Sequence, residues 1–191
     1  MSSEDASRQV QGNRFYIRTF TGDRFYWDNI ETNTFNINDI AHALSCNCRW
    51  TGHVKRFYSV AQHSVLCSTL VPPEDALAAL LHDAAEAYVH DTPSPLKNWL
   101  KQNGFTTFKD LETRIAAALF SSFGLSYPYS PAVKAADVRL LATEGRDLMN
   151  ASEDWSRYGE PYEWQIGRCW LPSEAENLFL DRFKEITHDK G

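Results

Sequence analysis

PPEDALAALLHDAAEAYVHD, residues 72–91, decides how this chain folds. Two prolines followed by Glu74 and Asp75 suit a first helical turn, where a missing N–H is no loss and negative charge faces the positive end of the helix dipole. Residues 76–81 are apolar throughout, so the pattern predicts one helix over 72–91, seated deep in a core. Into that apolar run the sequence sets His82, Asp83 and Glu86, then His90 and Asp91. At about 100° per residue, Ala79, His82, Asp83, Glu86 and His90 form one stripe, and Leu77, Leu80, Leu81, Ala84 and Tyr88 largely another. One stripe packs. The other carries groups that are costly to bury unless paired or ligated, and a metal ion satisfies an adjacent imidazole and carboxylate most simply.

Working outward, the segments on either side also read as helices. Asn38 is placed to cap a helix over 39–45. Ser59 and Gln62 form a capping box ahead of SVAQHSVLCSTLV. Thr92-Pro93-Ser94-Pro95 breaks the chain. A helix over 107–123 would turn Leu111, Ile115 and Leu119 inward and end at Gly124. Pro131 opens PAVKAADVRLLATEGRDLMN at its first helical position. Ser173 and Glu176 cap a last amphipathic helix that ends near Ile186. Residues 14–27, RFYIRTFTGDRFYW, read as a small β-hairpin around Thr21-Gly22-Asp23. Residues 1–13 read as a disordered lead-in, and 151–171 as an irregular, tryptophan-rich stretch. The fold class is therefore all-α with a minor N-terminal hairpin, in one domain over 14–191.

The 191 residues are 43% hydrophobic, a globular composition. A net charge of −6 argues against a general binder of polymeric nucleic acid. Cys46, Cys48, Cys67 and Cys169 make no CxxC pair and no secreted-type framework. They read as loop or buried thiols in a reducing, cytoplasmic setting. No signal peptide or membrane span is read.

Two further polar residues sit on otherwise apolar helix faces: His63 among Val60, Val65 and Leu66, and Asp137 among Val133, Ala136, Leu140 and Leu141. With His82 and Asp83 they make a nitrogen and oxygen donor set drawn from three helices. Such a set suits a divalent metal ion such as Zn, Co, Mn or Mg and leaves room for water and substrate. Glu86, one turn beyond two of the donors, can reach a water there. The loop CNCRWTGHVKRFY is the most basic stretch of an acidic chain. In it Arg49 reads either as an anion contact or as a salt bridge, and Trp50 as a binding or a core residue. Glu144, seven residues after Asp137, is placed to bind the partner of a ligand or Arg49, or to sit in a buried salt bridge.

The segments DIAHALS (39–45), CRWTGH (48–53), FYSVAQHS (57–64), LLHDAAEAYVHDTPSPLK (80–97) and VKAADVRLLATEGRDLM (133–149) resemble the HD-domain metal-dependent phosphohydrolases. The likeness is to a bacterial and phage subfamily that includes phage dATP triphosphohydrolases, and more distantly to bacterial 5′-deoxynucleotidases. It implies that His63, His82, Asp83 and Asp137 hold the catalytic metal and that Glu86 positions or activates the attacking water. It implies that Arg49 and Lys97 contact phosphate, that Trp50 packs on the deoxyribose, and that Asp91 shapes the nucleotide site. It further implies a homo-oligomer, dimer or hexamer, acting on a small deoxynucleotide. The expected activity is hydrolysis of dATP to deoxyadenosine and triphosphate. The alternatives are release of phosphate from deoxynucleoside monophosphates, or a non-catalytic nucleotide-binding module.

Overall fold

Residues 76–81, apolar throughout, form the innermost helix, and every one of them is buried. The computed structural model describes residues 15–150 and 153–188; the expected lead-in over 1–13 lies outside them. The hairpin comprises β1 (Tyr16–Arg18) and β2 (Arg24–Tyr26), antiparallel with Ile17 opposite Phe25. The helices follow as α1 (Ile37–Cys46), α2 (Val60–Thr69), α3 (Ala76–Leu81), α4 (Glu86–Val89), α5 (Ser94–Gln102), α6 (Thr107–Ser122), α7 (Pro131–Leu148) and α8 (Pro172–His188). The fold is all-α with a small hairpin.

Helix α2 is the axis. Residues 60–65, 67 and 68 are buried, because α3, α7, α8 and α1 all pack around it. The hairpin caps one side: Phe25, 1% exposed, stacks on Tyr88 of α4 at 4.0 Å between ring centroids, and Trp27 Nε1 donates to the Tyr88 carbonyl. Gly22 closes the hairpin with φ +97°, a conformation that costs glycine least.

The single helix expected over 72–91 is broken. A 3₁₀ turn (Pro73–Asp75) leads into α3, and α3 ends at Leu81. From there the backbone keeps helical dihedrals at His82, but its bonds tighten to i→i+3: Ala84 N–H to Leu81, Glu86 to Asp83, Ala87 to Ala84 and Tyr88 to Ala85. Residues three apart eclipse in such a turn, which lines Asp83 up with Glu86. The chain leaves α4 at His90 with φ +67°.

Other expectations shift by small amounts. Asn36, not Asn38, caps α1 by accepting the Asn38 N–H. The Ser59 hydroxyl accepts the Gln62 N–H as expected, but the Gln62 side chain turns to the Arg168 carbonyl and the Trp170 N–H and does not complete a capping box. Glu176 likewise bonds His42. Helix α6 ends in a Schellman motif, with Leu125 N–H on the Phe120 carbonyl and Gly124 N–H on Ser121. Helix α5 was not foreseen. The prolines that read as a break open it instead, with Pro95 in its first turn.

The stretch 153–171 holds a 3₁₀ turn (Trp155–Arg157) and otherwise no helix or strand. Its backbone is fastened to side chains of α7. Arg139 donates to the Glu160 carbonyl, Arg146 to those of Tyr162 and Trp164, Thr143 accepts from Tyr162 N–H and Asp147 from Ile166 N–H.

Candidate metal centre

Three helical segments meet at one point. His63 of α2, 0% exposed, and His82 at the end of α3, 5% exposed, bring their Nε2 atoms to 3.2 Å. The other nitrogen of each ring is already engaged. His63 Nδ1 lies 2.6 Å from Glu144 Oε1, and His82 Nδ1 lies 2.7 Å from the Ala79 carbonyl oxygen. Each Nδ1–H donates to that oxygen in the neutral ring, so both Nε2 lone pairs point at the shared centre, the tautomer a metal ligand requires.

The two aspartates complete the ring of donors. Asp83 Oδ2 lies 3.2 Å from His82 Nε2 and 3.7 Å from His63 Nε2. Asp137 Oδ1, from α7, lies 3.4 Å from His63 Nε2 and 3.8 Å from His82 Nε2. Two donors bound to one zinc-sized ion at ~2.1 Å are about 3.0–3.4 Å apart at ordinary angles. The His–His and His–Asp separations therefore sit at or a few tenths of an ångström beyond the span that a divalent ion bridges. The mutually close set is His63, His82 and Asp137, whose three ligand atoms lie within 4.8 Å of one another and can hold a metal ion; Asp83, also engaged by Arg49, is not one of that set.

The electrostatics point the same way. Burial works to lower the His82 imidazolium, yet Asp83 and Asp137 raise its pKa well above the ordinary value. Burial also works to raise the Asp137 carboxyl, yet His63 and His82 hold it well below the usual range. Without an ion, a proton on the imidazoles answers the two carboxylates, and a divalent cation held there would take that proton's place.

Glu86 stands beside this cluster, 7% exposed, and its Oε2 has no hydrogen-bond partner among the described residues. Burial first, then the Asp83 and Asp91 carboxylates, push its carboxyl well above the usual range, against Arg49 and Lys97.

Arg49 is drawn into the cluster more deeply than a surface contact would be. It is 7% exposed, donates from Nε to Glu144 Oε2 at 3.0 Å and reaches Asp83 Oδ2 from Nη1 at 3.3 Å. Glu144, 0% exposed, thus engages both His63 and Arg49. Asp91 accepts the Trp50 N–H at 3.2 Å, which pins the loop to the end of α4. Lys97, on α5, is paired with Glu112 at 2.6 Å. Arg56 turns away, its guanidinium on the carbonyls of Ile166 and Gly167.

Two neighbours were missed. Lys134 Nζ lies 2.8 Å from Asp137 Oδ2, a contact that its i, i+3 spacing could have disclosed. Tyr129 sets its ring edge-on to His82 at 5.9 Å, a tertiary contact with no local signature. All four thiols are free, with Cys67 buried and Cys46 exposed. Among the described residues no helix is long and apolar enough to cross a membrane.

Over 175 residues the chain is 43% identical to the uncharacterized protein YfdR of Escherichia coli (strain K12), covering 90% of this chain and 96% of the relative. The chain belongs to the YfdR family. An uncharacterized protein of Rhodobacter capsulatus is 35% identical over 130 residues, 61% of this chain and 64% of that protein. No protein-family model matches the chain. YfdR aligns over nearly its whole length.

Proposed function

We propose that the protein is a metal-dependent phosphohydrolase of the HD-domain type that acts on free deoxynucleotides. The observation that carries this reading is the convergence of His63, His82, Asp83 and Asp137 beside a buried carboxyl, Glu86, that keeps a free oxygen. A divalent ion held by those four residues would supply charge stabilisation at a phosphoryl oxygen and acidify water. The protein's own groups do the rest. Glu86 orients the water and takes its proton. Arg49, anchored through Glu144, offers the rest of its guanidinium edge to phosphate, with Lys97 opposite. Trp50 covers the sugar face and leaves little room for a 2′-hydroxyl.

The leading substrate is dATP, cleaved to deoxyadenosine and triphosphate; the adenine preference rests on the resemblance alone. One observation favours the second reading, a deoxynucleoside 5′-monophosphatase. Arg56 is turned onto backbone carbonyls and Lys97 onto Glu112, so less free positive charge faces the site than the sequence suggested. The test is to incubate the protein with dATP, dAMP, ATP and dGTP under one Mn²⁺ or Co²⁺ condition and identify the phosphorus product. Triphosphate released fastest from dATP supports the first reading. Orthophosphate released faster from dAMP transfers the assignment to the second. Turnover unaffected in Asp83→Ala, or after exhaustive chelation, overturns both.

A further inference from the structure

The function proposed above leaves the tryptophan-rich stretch without a role, yet one of its residues stands directly behind the site. Trp155 is 9% exposed. Its ring meets that of Trp50 edge to face, with centroids 5.3 Å apart and planes at 86°. On the other side it lies flat against α7 at Gly145, the residue after Glu144. A Cβ at position 145 would stand 2.3 Å from a carbon of the indole. Glycine there is a seat cut to the ring, and any side chain would push Trp155 out of it. Tyr158 stacks on Trp155, at 5.7 Å and 28°.

Trp50 needs such support. It and Thr51 hold φ angles of +58° and +53°, a left-handed pair that persists only where its surroundings over-determine it. Its backbone is held by Asp91 through its N–H and by the His53 N–H on its carbonyl. Its ring is not held in that way: Nε1 is buried and has no hydrogen-bond acceptor, and neither does Nε1 of Trp155. Among the described residues no polar contact sets the plane of the Trp50 indole, so ring packing must, and Trp155 supplies it.

We propose that Trp155 is a positioning residue for Trp50. Seated by Gly145, it fixes the Trp50 ring and so sets the discrimination between deoxyribose and ribose. The substrate part of this inference rests on the deoxynucleotide reading above; the positioning part does not.

The test uses Trp155→Ala, Trp155→Phe and Gly145→Ala in the full chain, with two readouts. The first needs no substrate: amide hydrogen exchange across residues 50–52, together with the indole N–H resonance of Trp50 assigned through Trp50→Phe. Faster exchange by about tenfold and a moved resonance are expected in Gly145→Ala and Trp155→Ala, with Trp155→Phe nearer wild type, since one aromatic pair is worth about that factor. Exchange at 50–52 unchanged in both Gly145→Ala and Trp155→Ala overturns the proposal. The second readout is the ratio of kcat/KM for dATP to that for ATP. It should fall about tenfold in the same two variants, carried by KM and not by kcat, and recover in Trp155→Phe. Equal losses of kcat on both nucleotides, with the ratio intact, would mean that Trp155 only stabilises the fold, and would overturn the specificity role. If the wild-type protein turns over no nucleotide, the deoxynucleotide reading fails and the exchange data alone decide the positioning claim.

Discussion

At the scale of single residues, chemistry and stability are shared unevenly. Glu86 is buried beside the donor cluster without completing it, and its carboxyl is pushed up by burial, Asp83 and Asp91. Glu86→Gln should therefore retain metal, measured by elemental analysis, while kcat falls at least ~100-fold, the scale of a general acid–base group. A base must be ionised to act, so the wild-type rate should decline as pH falls through the raised Glu86 pKa. Unchanged kcat in the variant would remove Glu86 from the reaction. The cluster of His63, His82, Asp83 and Asp137 was legible in the sequence because each is a polar residue on an apolar helical face, an expense that only pairing or ligation explains. Glu144 was visible but undecided. Helical spacing gave its face, whereas its two bonds, to His63 and Arg49, come from segments 81 and 95 residues away in the chain. The burial of Arg49 and the turn of Arg56 away from the site were not legible, because a loop carries no periodicity from which to read direction.

Elements tell a similar story. Caps and stops were readable where one residue type has one physical use, as with Pro131 at the start of α7 and Gly124 after α6. The break at residues 82–85 was not, since α and 3₁₀ turns differ there only in which carbonyl each N–H chooses. Helix α5 was hidden because proline both ends helices and begins them. Helix α7 yields a prediction of its own. Burial works to raise the Asp147 carboxyl, but Arg146 and the Ile166 N–H hold it below its ordinary value. A depressed folded-state pKa stabilises fully above the unfolded value of ~3.9, and the benefit fades as pH falls through the folded value. Asp147→Asn should therefore lower urea stability at pH 7 by no more than about 1 kcal/mol, since the pair is partly screened. The gap from wild type should close toward pH 3. A gap that widens with acid would contradict the assignment.

For the whole molecule, the candidate metal centre is where separate parts of the fold are tied together. Its donors come from α2, the end of α3 and α7, so an ion that binds the folded form alone should stabilise the entire domain. At a hundredfold excess over Kd the gain is about 2.7 kcal/mol. Adding Mn²⁺ or Zn²⁺ to chelated protein should raise Tm by several degrees, and Asp137→Ala should show no such rise. An equal rise in that variant would place the ion elsewhere. The stretch from Trp155 to Trp170 closes the same circuit from outside. It is fastened to Arg139, Thr143, Arg146 and Asp147 on α7 and to Gln62, the neighbour of His63, on α2. Every one of those fastenings takes a backbone N–H or carbonyl from the stretch and a side chain from the helix. Backbone groups are alike in nearly all amino acids. The belt's own letters can therefore drift at Glu160, Trp164 or Arg168 with little loss of the fastening, while the buckles on the helices cannot. The part of the chain that looks least regular is thus spelled elsewhere, in helical residues that seem to have no business with it.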